Sequence, residues 1–105
     1  MRIPLPSSSC AGVLKVLADD TRLAVIEQLI EGPKHVNEIN RRLHIDQSLL
    51  SHHLRTLRDA GLVESDRDGK AVLYRLAPHV RPRPSIKGID LGCCLLSFRP
   101  SSGSR

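Results

Sequence analysis

Between Val13 and Leu57 the large apolar residues recur at spacings of three and four, and after Gly61 the spacing falls to two. A chain can bury such a pattern only as amphipathic helices followed by strands, because the helix repeats every 3.6 residues and the strand every two. Val13, Leu14 and Leu17 predict a first helix over Ala11–Ala18. Asp19 is placed to cap a second helix, Asp20–Ile30, whose stripe is Leu23, Ile26, Leu29 and Ile30 and which Gly32-Pro33 ends. Val36, Ile39 and Leu43 predict a third helix over His35–Leu43, and Ile45-Asp46 a short turn. Leu50, Leu54 and Leu57 predict a fourth helix over Ser48–Ala60, closed by Gly61. Leu62–Ser65 and Ala71–Leu76 then read as two antiparallel strands, with the charged run DRDGK and its turn residue Gly69 between them. The expected fold is mainly α with a small β-hairpin, a winged helix-turn-helix of order α-α-α-α-β-β. Pro78, Pro82 and Pro84 interrupt the segment after Leu76, so a short irregular or β C-terminal extension is expected. The domain reading is a flexible Pro/Ser-rich arm over 1–10, a helix-turn-helix domain over 11–78, and an extension over 79–105 whose last residues, RPSSGSR, are disordered.

A chain of 105 residues fits one domain. Aromatic residues make up only 2%, so the core must come from Leu, Ile, Val and Ala, which suits packed helices. A monomer of this size buries only about 60–70% of its unfolded surface, which favours a dimer. No run approaches the roughly 18 apolar residues of a membrane span, and MRIPLPSSSC lacks the apolar stretch of a signal peptide. A cytoplasmic location is therefore expected, with the three cysteines as thiols and not as structural disulfides. No motif places a nucleophile beside a base, so no enzymatic activity is expected. The formal charge of +5 suits a polyanionic partner, but residues 1–79 hold 11 basic and 10 acidic groups while residues 80–105 hold 5 and 1. Charge alone does not identify the partner.

The fourth helix is more informative. A recognition helix in a DNA major groove, about 12 Å wide, needs one buried stripe and one polar stripe that can hydrogen-bond base edges. Opposite Leu50, Leu54 and Leu57 this helix offers Gln47, Ser48, Ser51, His52 and Arg55, with no acidic group among them, and Leu49 can contact a thymine methyl. Arg67 and Lys70 in the hairpin are placed for phosphates. His53 reads as a packed or capping side chain, Arg22 as a structural salt-bridging residue, and Arg58 and Asp59 as solvated charges; Arg41 and Arg42 are open between phosphate contact and solvation. The alternative is a winged-helix protein-interaction module without DNA binding, which would expose apolar anchors on the same helix.

The segments LADDTRLAVIEQL, DQSLLSHHLRTLRDAGLV and DGKAVLYRL, in this order within residues 14–78, resemble the ArsR/SmtB family of bacterial repressors. The resemblance implies a homodimer on a palindromic operator, released when a metal ion, metalloid or oxidant reaches the protein. It also implies ligand sites that are missing here. The Cys-x-Cys pair of the third helix is replaced in KHVNEIN by His35 and Asn37, and the C-terminal VRPRPSIKGIDLGCCLLSF lacks the Asp/His and His/Glu pairs of the zinc sensors. No cofactor is required. What remains is Cys93-Cys94, with Cys10 as a third thiol, as a site for a thiophilic inducer such as arsenite or a soft metal ion. The competing reading is a buried strand, GIDLGCCLLSF, in which cysteine is a small hydrophobe. Neighbours in an ideal strand point to opposite faces, so both thiols can meet one ion only if the chain bends near Gly92.

Overall fold

The computed structural model describes residues 9–98. The order is α1 (Cys10–Leu17), α2 (Asp20–Ile30), β1 (Lys34–His35), α3 (Val36–Leu43), α4 (Gln47–Asp59), β2 (Val63–Asp68), β3 (Ala71–Leu76), β4 (Arg81–Arg83), β5 (Gly88–Asp90) and β6 (Leu95–Ser97). This is a winged helix-turn-helix. Of the expected arm over 1–10, only Ser9, the α1 N-cap, and Cys10, its first residue, fall within the described residues; the terminal RPSSGSR lies outside them.

Each helix start has a local cause. The Ser9 hydroxyl accepts from the Gly12 amide, the Asp19 carboxylate from Arg22, and the Asp46 carboxylate from Ser48 and Leu49. These bonds satisfy donors that a helix N-terminus otherwise leaves unpaired. The apolar stripes converge on one core that includes Leu17, Val25, Ile26, Leu29, Ile39, Leu50, Leu54 and Leu57. The turn between α3 and α4 runs through His44, Ile45 and Asp46, and α4 begins at Gln47, one residue earlier than expected. His44 adopts the left-handed conformation at the end of α3 (φ 54°). Asn40 holds this turn by donating to the Ile45 carbonyl and accepting from its amide. The Gln28 side chain donates to the Ile39 carbonyl and so ties α2 to α3 inside the core.

Two differences from the expected strands bear on function. First, β2 continues to Asp68, so the hairpin loop is Gly69-Lys70 and not the whole DRDGK run. Gly69, at φ 68°, supplies the positive φ that a two-residue hairpin loop needs at its first position. The charged residues stay in register because Arg75 on β3 pairs with both Glu64, directly opposite, and Asp66, one diagonal step away. Lys34–His35 adds a third, short strand to β3, giving the order β1-β3-β2. Second, the extension forms its own antiparallel sheet, β4-β5-β6. Pro82 sits on the edge strand β4, where a missing amide costs no ladder bond on the open side. Ile89 of β5 and Val80 just before β4 are buried in the common core, so the sheet is packed against the helices.

Candidate nucleic-acid interface and cysteine cluster

The outer face of α4 carries every side chain expected to read bases. Gln47, Ser48, Leu49, Ser51, His52 and Arg55 are all exposed, while Leu50, His53, Leu54 and Leu57 are buried. Leu49 is the one large apolar side chain on that outer face, at 45% exposure. A protein-docking helix would present several such anchors. The acidic groups of α4 are confined to its ends, Asp46 as N-cap and Asp59 as the last residue.

α4 is held from beneath by a polar contact. His53, only 8% exposed, accepts from Arg22 Nε through Nδ1 at 3.1 Å. Its ring proton therefore sits on Nε2. Arg22 also donates to the Val16 carbonyl at 2.8 Å, so one guanidinium links α1, α2 and α4. Asp19 lies 3.8 Å from His53 Nδ1, and the Arg22 amide that donates to it holds its carboxyl below the usual carboxylate value. Arg22 and His53 are thus structural, as expected, although Arg22 bonds a ring nitrogen and a carbonyl where a salt bridge was anticipated.

The wing lies beside this face. Ser51, Gln47 and Leu54 of α4, Asn37 of α3 and Lys70 and Tyr74 of the wing border a cleft of about 340 Å³ between helix and hairpin. Of the wing's charged groups, Asp66 is paired with Arg75, and Asp68 lies 2.9 Å from His35 Nε2. Arg67 and Lys70 are exposed and make no ion pair among the described residues. The acids that would repel phosphate are thereby partly neutralised and the two cations are left outward. The His35 contact was not legible in the sequence, where His35 figured only as the replacement for a missing cysteine. The Asp68 carboxylate raises the His35 pKa, helped by Glu38 at 3.2 Å from Nδ1. Arg42 pairs with Glu31, and Arg41 is exposed.

The three cysteines come together. Cys10 and Cys93 form a disulfide, with Cα atoms 5.8 Å apart. This corrects the expectation of three free thiols. The first residue of α1 lies beside the β5–β6 turn, within the span of roughly 4.4–6.8 Å that a bridge requires. It also corrects the buried-strand reading, because Cys93 and Cys94 occupy the turn and Cys93 is exposed. The bend falls where it was needed: Gly92 has φ 88°, its amide donates to Asp90, and the Leu91 amide donates to the Cys94 carbonyl. Cys94 remains a thiol, with its sulfur 3.7 Å from that of Cys10 and 3.9 Å from that of Cys93.

Residues 19–65, from the α2 cap into the wing, match the family described as bacterial regulatory protein, arsR family. The arsenical resistance operon repressor of Escherichia coli K12 is 40% identical over 79 residues, 74% of this chain and 67% of that protein. The chain belongs to the ArsR family. The HTH-type transcriptional repressor SmtB of Mycobacterium tuberculosis is 45% identical over 67 residues, 64% of this ArsR-family chain but only 50% of the repressor, so the match spans about half that relative's length. Among solved structures, the homodimeric winged helix-turn-helix DNA-binding domain of a possible ArsR-family regulator from Mycobacterium bovis superposes with a TM-score of 0.60 at 33% identity, over 64% of this chain and 62% of that one. The matched region contains α2, α3 and α4 and only the first three residues of the wing.

Proposed function

We propose that the protein is a cytoplasmic, sequence-specific DNA-binding repressor that acts as a homodimer on operator DNA and has no enzymatic activity. Residues 11–78 form the reading unit and the residues after 78 a regulatory extension. α4 enters the major groove, where Ser48, Ser51, His52 and Arg55 meet base edges, Gln47 contacts the groove at the helix start and Leu49 packs on a thymine methyl. Arg67 and Lys70 of the wing bind the flanking phosphates. The observation that carries this reading is the α4 outer face: exposed, polar apart from Leu49, with Arg55 as its cation, and flanked by a wing whose acids are paired. Exposed Leu14 on α1 and Leu95 in the extension, close in sequence to the bridged cysteines, offer apolar surface to a second copy. Two α4 helices must then stand about 34 Å apart, one turn of DNA. A thiol-directed signal at Cys10, Cys93 and Cys94, arsenite or a soft metal ion among them, releases the DNA by altering the extension that borders α1.

A gel shift with the DNA upstream of the protein's own gene tests this. Against an unrelated duplex at the same salt, the expected preference is about 10³-fold or more. Equal binding to both duplexes would leave only charge attraction and remove the reading.

A further inference from the structure

The cysteine cluster is the one group of three metal-ligating side chains that comes together among the described residues. All three sulfurs lie within 4.8 Å of one another. With metal–sulfur bonds of about 2.3 Å, two sulfurs on one ion stand about 3.8 Å apart at tetrahedral angles. Cys94 already holds that separation from both of its neighbours, 3.7 Å from Cys10 and 3.9 Å from Cys93. Only the Cys10–Cys93 edge is wrong for an ion, because a covalent bond occupies it. Opening that edge needs no refolding. Cys93 is exposed, in a turn whose backbone is fixed by Asp90 and by the Leu91–Cys94 bond, and its side chain can swing outward by the small distance required. No His, Asp or Glu joins the cluster as a fourth ligand among the described residues. An all-thiolate set of three selects soft ions and trivalent metalloids over hard cations.

We propose that Cys10, Cys93 and Cys94 form one site with two mutually exclusive occupants: a Cys10–Cys93 disulfide, or a thiophilic ion held by all three thiolates. Exclusion follows from the electron count. A dithiol reductant gives two electrons and two protons to the bridge, leaving Cys10 and Cys93 as thiols and itself as a disulfide. The ion then displaces one proton from each of three sulfurs. Oxidation removes two of the three ligands, and a bound ion removes both of the thiolates that an oxidant would join. Soft-ion exposure and thiol oxidation are therefore read at one place, and either state fastens α1 to the β5–β6 turn. The inference deepens the thiol-signal part of the proposed function. It is tested without DNA, so its failure and the failure of the repressor reading remain separate.

The test is an anaerobic titration of the full chain with cadmium chloride, followed by the thiolate-to-cadmium charge-transfer absorbance and by proton release. It is run on protein reduced by a dithiol, with the reductant then removed, and on protein whose bridge is formed. Reduced protein should bind one ion per chain with about three protons released, and the bridged form should bind at least about 100-fold more weakly. Changes one shell outside a metal already cost about 10–100-fold, so Cys10→Ser, Cys93→Ser and Cys94→Ser should each lose at least that much. Cadmium-loaded protein should also resist bridge formation by a disulfide oxidant, with Cys10 and Cys93 still reactive after the ion is chelated away. Equal cadmium affinity of the reduced and bridged forms would overturn the proposal. So would a Cys10→Ser or Cys94→Ser protein that folds and binds like the parent.

Discussion

Replacing His53 by Ala probes how α4 is aimed. The side chain is 8% exposed and supplies the acceptor for a charged donor, Arg22 Nε, at 3.1 Å. A hydrogen bond to a charged group contributes about 1.5–3 kcal/mol, and the lost ring leaves a small void beneath α4. The expected loss is about 2–4 kcal/mol. For a domain of this size each kcal/mol lowers Tm by about 4–8 °C, so His53→Ala should melt at least about 8 °C lower. Arg22→Lys keeps the charge and removes the Nε donor. Urea unfolding of both single variants and the double variant, followed by far-UV circular dichroism, closes a cycle whose coupling energy isolates the bond. The expected coupling is about 1–3 kcal/mol. A value below about 0.5 kcal/mol would mean that the Arg22–His53 bond does not orient the helix. His53→Gln, which keeps an acceptor, should recover part of the stability.

The His35–Asp68 pair between the start of α3 and the wing should depend on pH. The folded pKa of His35 lies above its ordinary 6.5, so the pair is fully charged below about pH 6.5 and its stabilisation disappears as pH rises through the raised value. An imidazole resonance titrating above 6.5, and moving down in Asp68→Asn, is the expected NMR result; titration at or below 6.5 in the parent would contradict it. In the wing, Arg67→Ala or Lys70→Ala should weaken binding alike on all sequences and flatten the salt dependence by about one unit for each phosphate no longer neutralised. A changed sequence preference at an unchanged salt slope would assign these residues to bases instead.

The helices were legible because Leu, Ile and Val at spacings of three and four leave no other way to bury the stripe, and Asp19 marks where α2 begins; Asp46 was read only as a turn residue, which put the expected start of α4 one residue late. The exposed face of α4 followed from the same stripe, by subtraction. The first wing strand runs past its expected end because Asp66, Arg67 and Asp68 carry no hydrophobic alternation; they belong to a strand through cross-strand partners, Arg75 above all, that only the fold brings near. The two-residue strand at Lys34–His35 exists only by pairing with β3 and leaves no local signal. Pro82 read as a breaker because the edge position that tolerates it is a property of the sheet. Adjacent Cys93 and Cys94 and the bend at Gly92 could be suspected from the sequence. The bridge to Cys10 could not, since it joins residues 83 positions apart through the packing of the extension against the helical core.

The central claim is that α4 reads base edges in the major groove. Binding of the parent and of a Ser51→Ala/Arg55→Ala variant should be measured by fluorescence anisotropy across a set of operator duplexes, each changed at one symmetric pair of base pairs. The parent should discriminate by about 1–3 kcal/mol at the positions that Ser51 and Arg55 touch. In the variant that discrimination should vanish at those positions and persist elsewhere. A folded variant that keeps the parent's full discrimination profile and affinity would show that another element reads the DNA.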